Sequence, residues 1–176
     1  MRRMQTLLVL FLGLLYIRIG MAGEVAGGGI DALPAVVADA KPGEWASYKY
    51  AKDLFDGVQV EIKVTVLGFS DEGGARQVRA RVDTTLDGEV GKSSDQVHPV
   101  ADSFFLLKNF RGAELEFSPA VIPIPGGEVV GIEAAGEWQG YPLSIFVSEE
   151  LPALGLARVI WGSETLLELT EYGFAQ

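Results

Sequence analysis

Val58, Val60, Ile62, Val64 and Val66 occupy every second position of VQVEIKVTV, and Gln59, Glu61, Lys63 and Thr65 fill the positions between. On a helix those five apolar side chains would spread around every side. On a strand they form one face and leave the polar residues on the other. Beyond SDEGG, a run of turn formers, RQVRARV alternates again, with Val78, Ala80 and Val82 against Arg79, Arg81 and Asp83. The two runs predict an antiparallel hairpin between 58–66 and 77–83. A slip of one residue would bury two arginines, so the register is strongly specified. Glu61 is expected to face an arginine across that hairpin.

The same period recurs along the chain. EWASYKYAK sets Trp45, Ser47 and Lys49 against Ala46, Tyr48 and Tyr50, and LDGE makes a turn into a weaker strand, VGKSSDQVHP. SPAVIPIPGGE is too rich in proline for a central strand and suits an edge segment or a crossover. Strands resume at 129–135 and in EWQGYPLSIFVS, where Tyr141, Leu143, Ile145 and Val147 share a face, and LGLARVIW and TLLELTEYGF close the chain. Ser148–Pro152 reads as a turn, with Pro152 at a strand start. The alternative is a polar rim of Ser148, Glu149 and Glu150 over a cavity. A short helix or ordered loop is expected within VADSFFLLKNFRGAELEF, capped by Asp102 or Ser103. Short alternating segments with frequent turns predict a mainly β fold: a single curved antiparallel sheet or half-open barrel with at most one short helix.

The first 22 residues carry Arg2 and Arg3, then an apolar core from Thr6 to Ile17, then Gly20 and Ala22 at the offsets of an export cleavage site. That core is shorter than the roughly 20 residues a membrane-spanning helix needs. The expected organisation is a signal peptide at 1–22, a flexible Gly-rich leader at 23–43 and one β-rich domain at 44–176, located in the periplasm or outside the cell. An uncleaved anchor is the alternative for the first segment. Cleavage removes Arg2, Arg3 and Arg18 and no acid, so the 14 basic residues fall to 11 against 24 acidic ones, a formal charge of −13. A surface of that sign opposes nucleic acid and anionic lipid headgroups. With no cysteine in the chain, disulfides, thiolate chemistry and a lipid-modified Cys are all excluded.

The residues offer little to catalysis. His98, the sole histidine, has Ser93, Ser94, Asp95 and Asp102 near it in sequence, but triads assemble from separate loops, and no G-x-S-x-G elbow is present. Standing before Pro99, His98 reads as a surface turn residue. One histidine and no cysteine exclude the common zinc sites. Asp83, Asp87 and Glu89 supply oxygen ligands without the spacing of a calcium loop. Gly27–Gly29 is no phosphate loop, because no strand precedes it and no lysine follows. No catalytic residue, metal ligand or cofactor is assigned.

Leu143–Phe174 resembles the last strands of the bacterial lipoprotein-carrier-like superfamily, which includes the periplasmic lipoprotein-sorting carrier and related lipid-binding lipoproteins. The shared order is a strand, a turn ending in Leu-Pro, a strand, a short turn, and a final strand closing on an aromatic-Gly pair. Here these are LSIFVSEELP, LGLARVIW and LLELTEYGF, with Leu151-Pro152 and Tyr172-Gly173 at the matching points. The tail is also similar to those of small secreted bacterial β-proteins. The resemblance implies a strongly curved, half-open sheet whose concave face holds acyl chains. The chain departs from that family in lacking a helix before its first strand and an anchoring cysteine.

Two functions of different class follow. The first is an exported, non-enzymatic binding protein with an apolar concave face for lipid or another hydrophobic ligand, lined by Trp138, Tyr141 and Trp161. The second is a structural or protein-interaction module whose sheet is simply filled. A carrier needs a cavity of roughly 300 Å³ or more, and a filled module does not.

Overall fold

The structure is a computed structural model that describes residues 28–72, 74–102 and 104–175. The expected signal peptide at 1–22 and the first residues of the expected leader lie outside these. Nine strands form one antiparallel sheet. The first four are β1 (Trp45–Tyr50), β2 (Val60–Glu72), β3 (Ala75–Leu86) and β4 (Glu89–Pro99). The other five are β5 (Glu114–Ile124), β6 (Gly127–Trp138), β7 (Tyr141–Val147), β8 (Leu156–Trp161) and β9 (Glu164–Gly173). Their order is β4-β3-β2-β1-β9-β8-β7-β6-β5. Every neighbour is therefore consecutive in sequence except one, the pairing of β1 with β9. The sheet is a meander opened between β4 and β5, and it does not close into a barrel.

Each alternating run contributes a strand, but EWQGYPLSIFVS, read as one strand, is divided by a turn at Gln139-Gly140 between β6 and β7. β2 also runs on through Ser70–Glu72 of the expected turn. Asp87 and Gly88 both hold positive φ, 49° and 83°, as do Gln139 and Gly140 at 52° and 81°. Two central residues with φ above zero make the tight hairpin turns that match strand twist. In the β2–β3 hairpin Val64 lies opposite Val82 and Val66 opposite Ala80. Glu61, however, faces Thr85, while Lys63 faces Asp83 and Thr65 faces Arg81. The expected Glu61–arginine pairing fails because the strands run on to Glu72 and Ala75, later than the SDEGG turn implied.

Across the sheet one face is apolar and one is wet. Val78, Ala80 and Val82, then Ile62, Val64 and Val66, then Ala46 and Tyr48 are buried on the inner face, continued by Leu167, Leu169, Val159, Leu143 and Ile145. On the outer face Lys63 sits 3.8 Å over the Trp45 ring, and Arg81 pairs with Asp95 at 2.9 Å. The inner face is covered by connections wound as 3-10 helices: η1 (Ile30–Ala32), η2 (Val36–Asp39), η3 (Lys52–Phe55), η4 (Val100–Asp102) and η5 (Phe105–Phe110). No α-helix is present among the described residues. The short helix expected near Asp102 is η5, but Asp102 does not cap it. Its N-cap is Phe104, with no side-chain hydrogen bond, and Ser103, the other expected cap, lies outside the described residues. Phe105 of η5 stacks on His98 of β4, and Phe110 meets Trp138 of β6 edge-on. Laid flat at ~4.8 Å per strand, β4 and β6 would stand ~34 Å apart. A six-residue 3-10 helix rising ~2 Å per residue reaches both with its side chains because the sheet curls around it. Register shifts in the β1–β9, β2–β3, β3–β4, β7–β8 and β8–β9 pairings let the strands bend.

Three local readings change. The leader is packed from Gly28 onward: Gly28 exchanges both backbone hydrogen bonds with Leu115 at 3.0 Å, and Ile30, Leu33 and Val37 are buried in the common core. Their spacing of three and four residues gives a one-sided apolar stripe, hidden in sequence by the surrounding glycine and alanine. Pro152 does not start a strand, since β8 begins at Leu156 and 148–155 is a loop, buried at Ser148 and from Leu151 to Gly155 and exposed at Glu149 and Glu150. His98 is a strand residue whose ring lies parallel to Phe105 at 4.3 Å, not a surface turn. The proline-rich run is edge strand β5, where Pro119 and Pro123 need no partner for their missing N–H on the open side. No helix among the described residues is long and apolar enough to cross a membrane.

Candidate functional site

The curl leaves a cleft between η5 and the inner face at one end of the sheet. Tyr50 ends β1, Leu166 and Leu167 begin β9, and Val159 and Trp161 end β8. Pairing puts them in rows, Tyr50 opposite Leu167 and Leu167 opposite Val159. Trp138 closes the far side from the end of β6, and Leu106, Leu107 and Phe110 form the roof from η5. Leu54 and Phe55 of η3 stand at the mouth, exposed, with Phe55 edge-on to Tyr50 at 5.6 Å. The volume is about 630 Å³. Asn109 and Gln139 are its polar lining residues besides Tyr50, and no charged residue lines it among those described.

Of the three residues singled out from sequence, two line this cleft and one does not. Trp161 donates its indole N–H to the Trp138 carbonyl at 3.0 Å, which satisfies the polar end of the ring and leaves its apolar faces free. Tyr141 lies edge-on to Trp161 at 5.4 Å, but it is 57% exposed and outside the lining. As the first residue of β7 it sits at the rim, where the inner face runs out. Sequence reasoning missed Leu54, Phe55, Leu106 and Phe110, because none belongs to a period-two run. A signal was present in KDLFDG, where two bulky apolar residues stand among charges and turn formers with no core pattern to claim them.

Two tyrosine hydroxyls of the inner face are affected by burial. Burial pushes the Tyr50 hydroxyl above its usual range. It does the same to Tyr48, which is fully buried and whose hydroxyl has no hydrogen-bond partner among the described residues. The polar residues near His98 are drawn elsewhere. Ser93 donates to Asp83 at 2.5 Å, Asp95 pairs with Arg81, and the Arg111 guanidinium holds Asp102 below the usual carboxylate range. His98 itself shares a 2.9 Å hydrogen bond with Gln96. Asp87 of the former calcium candidates accepts the Gln59 backbone N–H at 2.9 Å, a contact that extends the hairpin ladder. No three His, Asp or Glu side chains group around one metal position among the described residues.

Gly173, the glycine of the closing aromatic-Gly pair, lies opposite Trp45 on β1. A Cβ there would overlap the Trp45 indole, so the glycine lets the ring lie flat across the β1–β9 seam. Compared with protein-family models, with curated proteins and with solved structures, the chain gives no match.

Proposed function

We propose that the protein is an exported, non-enzymatic binding protein whose inner-face cleft takes a hydrophobic ligand of the acyl-chain class. The observation that carries this reading is the cleft itself: about 630 Å³, walled by aliphatic and aromatic side chains, without a charged residue in its described lining. Ligand pockets of roughly 300–1,000 Å³ with apolar walls and few polar groups hold small apolar molecules. Leu54 and Phe55, left exposed at the mouth, add apolar surface that a ligand would cover. The likeness of Leu143–Phe174 to lipoprotein carriers supports the same class of ligand. Export is supported by the charged, apolar and small-residue order of Met1–Ala22.

The test is titration with N-phenyl-1-naphthylamine, a neutral apolar fluorophore, followed by displacement with palmitate. Binding should quench tryptophan emission, and Trp161→Ala should weaken it at least about fivefold, as the loss of a large aromatic wall residue. Mass spectrometry of molecules extracted from the natively purified protein should yield an acyl-chain compound. Failure of the probe to bind, with an empty extract, would leave the filled interaction module as the better account.

A further inference from the structure

We propose that a second pocket, at the opposite end of the sheet, is a site for a small organic cation: an amine with an aliphatic body. It lies between η2 and the β7–β8 loop, beside Glu44, which immediately precedes β1. The length of β1, six residues or ~20 Å, separates it from the apolar cleft at Tyr50. Its volume is about 410 Å³, and Asp39, Glu44 and Glu149 line it with no lysine, arginine or histidine among the described lining.

Glu44 is the residue that points to a ligand. It is 8% exposed, yet the only hydrogen bond to its carboxylate among the described residues is from the Ala153 N–H, at the long distance of 3.5 Å. It has no ion-pair partner among them. A carboxylate with little exposure, one long hydrogen bond and an open pocket beside it has few competing partners, and a cation in that space would pair with it. The rest of the wall suits an ammonium group on a carbon chain. Val36 and Leu151 supply apolar surface, and Phe174 adds an aromatic ring to the lining. A metal ion is the wrong size for this arrangement: the acids do not group around one point but spread about the cavity.

The walls are built, not incidental. Gly155 has φ +66°, and a Cβ there would come within 2.7 Å of Val36, so loop and η2 meet at contact distance. Ser148 donates to the Val130 carbonyl at 2.6 Å and accepts the Glu150 N–H at 3.1 Å, which pins the start of the loop. Ser148 is thus the anchor of the polar rim, and Glu149 is the member that faces the pocket.

The test is calorimetric titration of the folded protein with n-hexylammonium, against hexanoate and 1-hexanol as ligands with the same tail. Hexylammonium should bind more tightly than either, and Glu44→Gln should weaken it at least about tenfold, as for loss of a charge-assisted contact. Should Glu44→Gln not fold, the double variant Asp39→Asn/Glu149→Gln, at two exposed positions, should weaken it severalfold. Trp161→Ala should leave hexylammonium binding unchanged while it weakens the naphthylamine probe. No binding of hexylammonium, equal binding of hexanoate, or loss through Trp161→Ala without loss through the carboxylate variants would overturn the site.

Discussion

Val64 and Thr65 are adjacent in the chain and sit in different surroundings: Val64 is fully buried, and Thr65 is on the outer face opposite Arg81. Val64→Asp is expected to cost several kcal/mol, because it strands an unpaired carboxylate in the core. Thr65→Asp is expected to cost about 1 kcal/mol or less, its poor strand propensity partly offset by the arginine across from it. Urea unfolding of the two variants measures the contrast, and similar costs would mean that both faces of β2 are covered. Tyr48 presents the opposite case. Its hydroxyl is buried without a partner, so Tyr48→Phe should be neutral or stabilise by about 1 kcal/mol. A clear loss of stability in that variant would reveal a partner such as a buried water. His98 links a residue to pH. Burial first, and then the Lys108 ammonium, hold its imidazole below the usual value, with Asp102 opposing them. The native state therefore binds fewer protons than the unfolded chain just below pH ~6.5, so this contribution is full above that value and is lost as pH falls through the window. His98→Gln should flatten the rise in urea midpoint between pH 5 and pH 7.5, and an unchanged slope would remove His98 from the account.

Among the elements η5 ties the most together. It is only six residues long, yet it stacks on β4 through Phe105, buries Leu107 and roofs the cleft with Leu106 and Phe110. Leu107→Ala is expected to cost about 2–5 kcal/mol, the range for a fully buried leucine, and to weaken the naphthylamine probe as the roof loosens. Denaturation and probe titration on the same sample separate the two effects. The sheet edges are treated differently from one another. On β5, Pro119 and Pro123 withhold donors and Gly28 covers Leu115, whereas β4 carries an exposed Val90 and no proline before its last residue.

At the scale of the whole molecule, the meander brings its two ends together at the β1–β9 seam and leaves a cavity at each end of that seam. One is apolar and the other is lined by three acids, so one fold holds two chemically distinct cavities. The molecule as a whole carries a large negative charge, and the acidic pocket lies in keeping with that field. The proposed export would decide where either cavity meets a ligand. Produced whole in a bacterium, the protein should be recovered outside the cytoplasm with Gly23 as its first residue. N-terminal sequencing checks this, and an intact Met1 on membrane-held protein would identify an anchor instead.

The sequence by itself determined the alternating strands, their faces and the Asp87-Gly88 turn. Alternation at Val60–Val66 and at Val78–Val82 is a local pattern, and burial of one face follows from it wherever the sheet is covered on that side. Asp87-Gly88 is likewise legible, because the turn needs positive φ and those residues supply it. What only the tertiary structure decided depends on contacts far apart in the chain. Nothing local in Ala46 or Tyr172 says that they will be neighbours, yet that pairing makes β9 a central strand and sets the sheet order. The cleft belongs to the same class of fact. Trp138 and Trp161 were visible as large aromatics at strand ends, but the cavity exists because non-periodic segments bring Leu54, Phe55, Leu106 and Phe110 over them. Tyr141 shares the strand parity of the core and still lies in solvent, since parity assigns a face and only curvature and chain ends decide where that face stops. Glu44 shows the same limit from the other side: one residue before a strand, it is buried by a loop more than 100 residues away, and no pattern in its own neighbourhood records that.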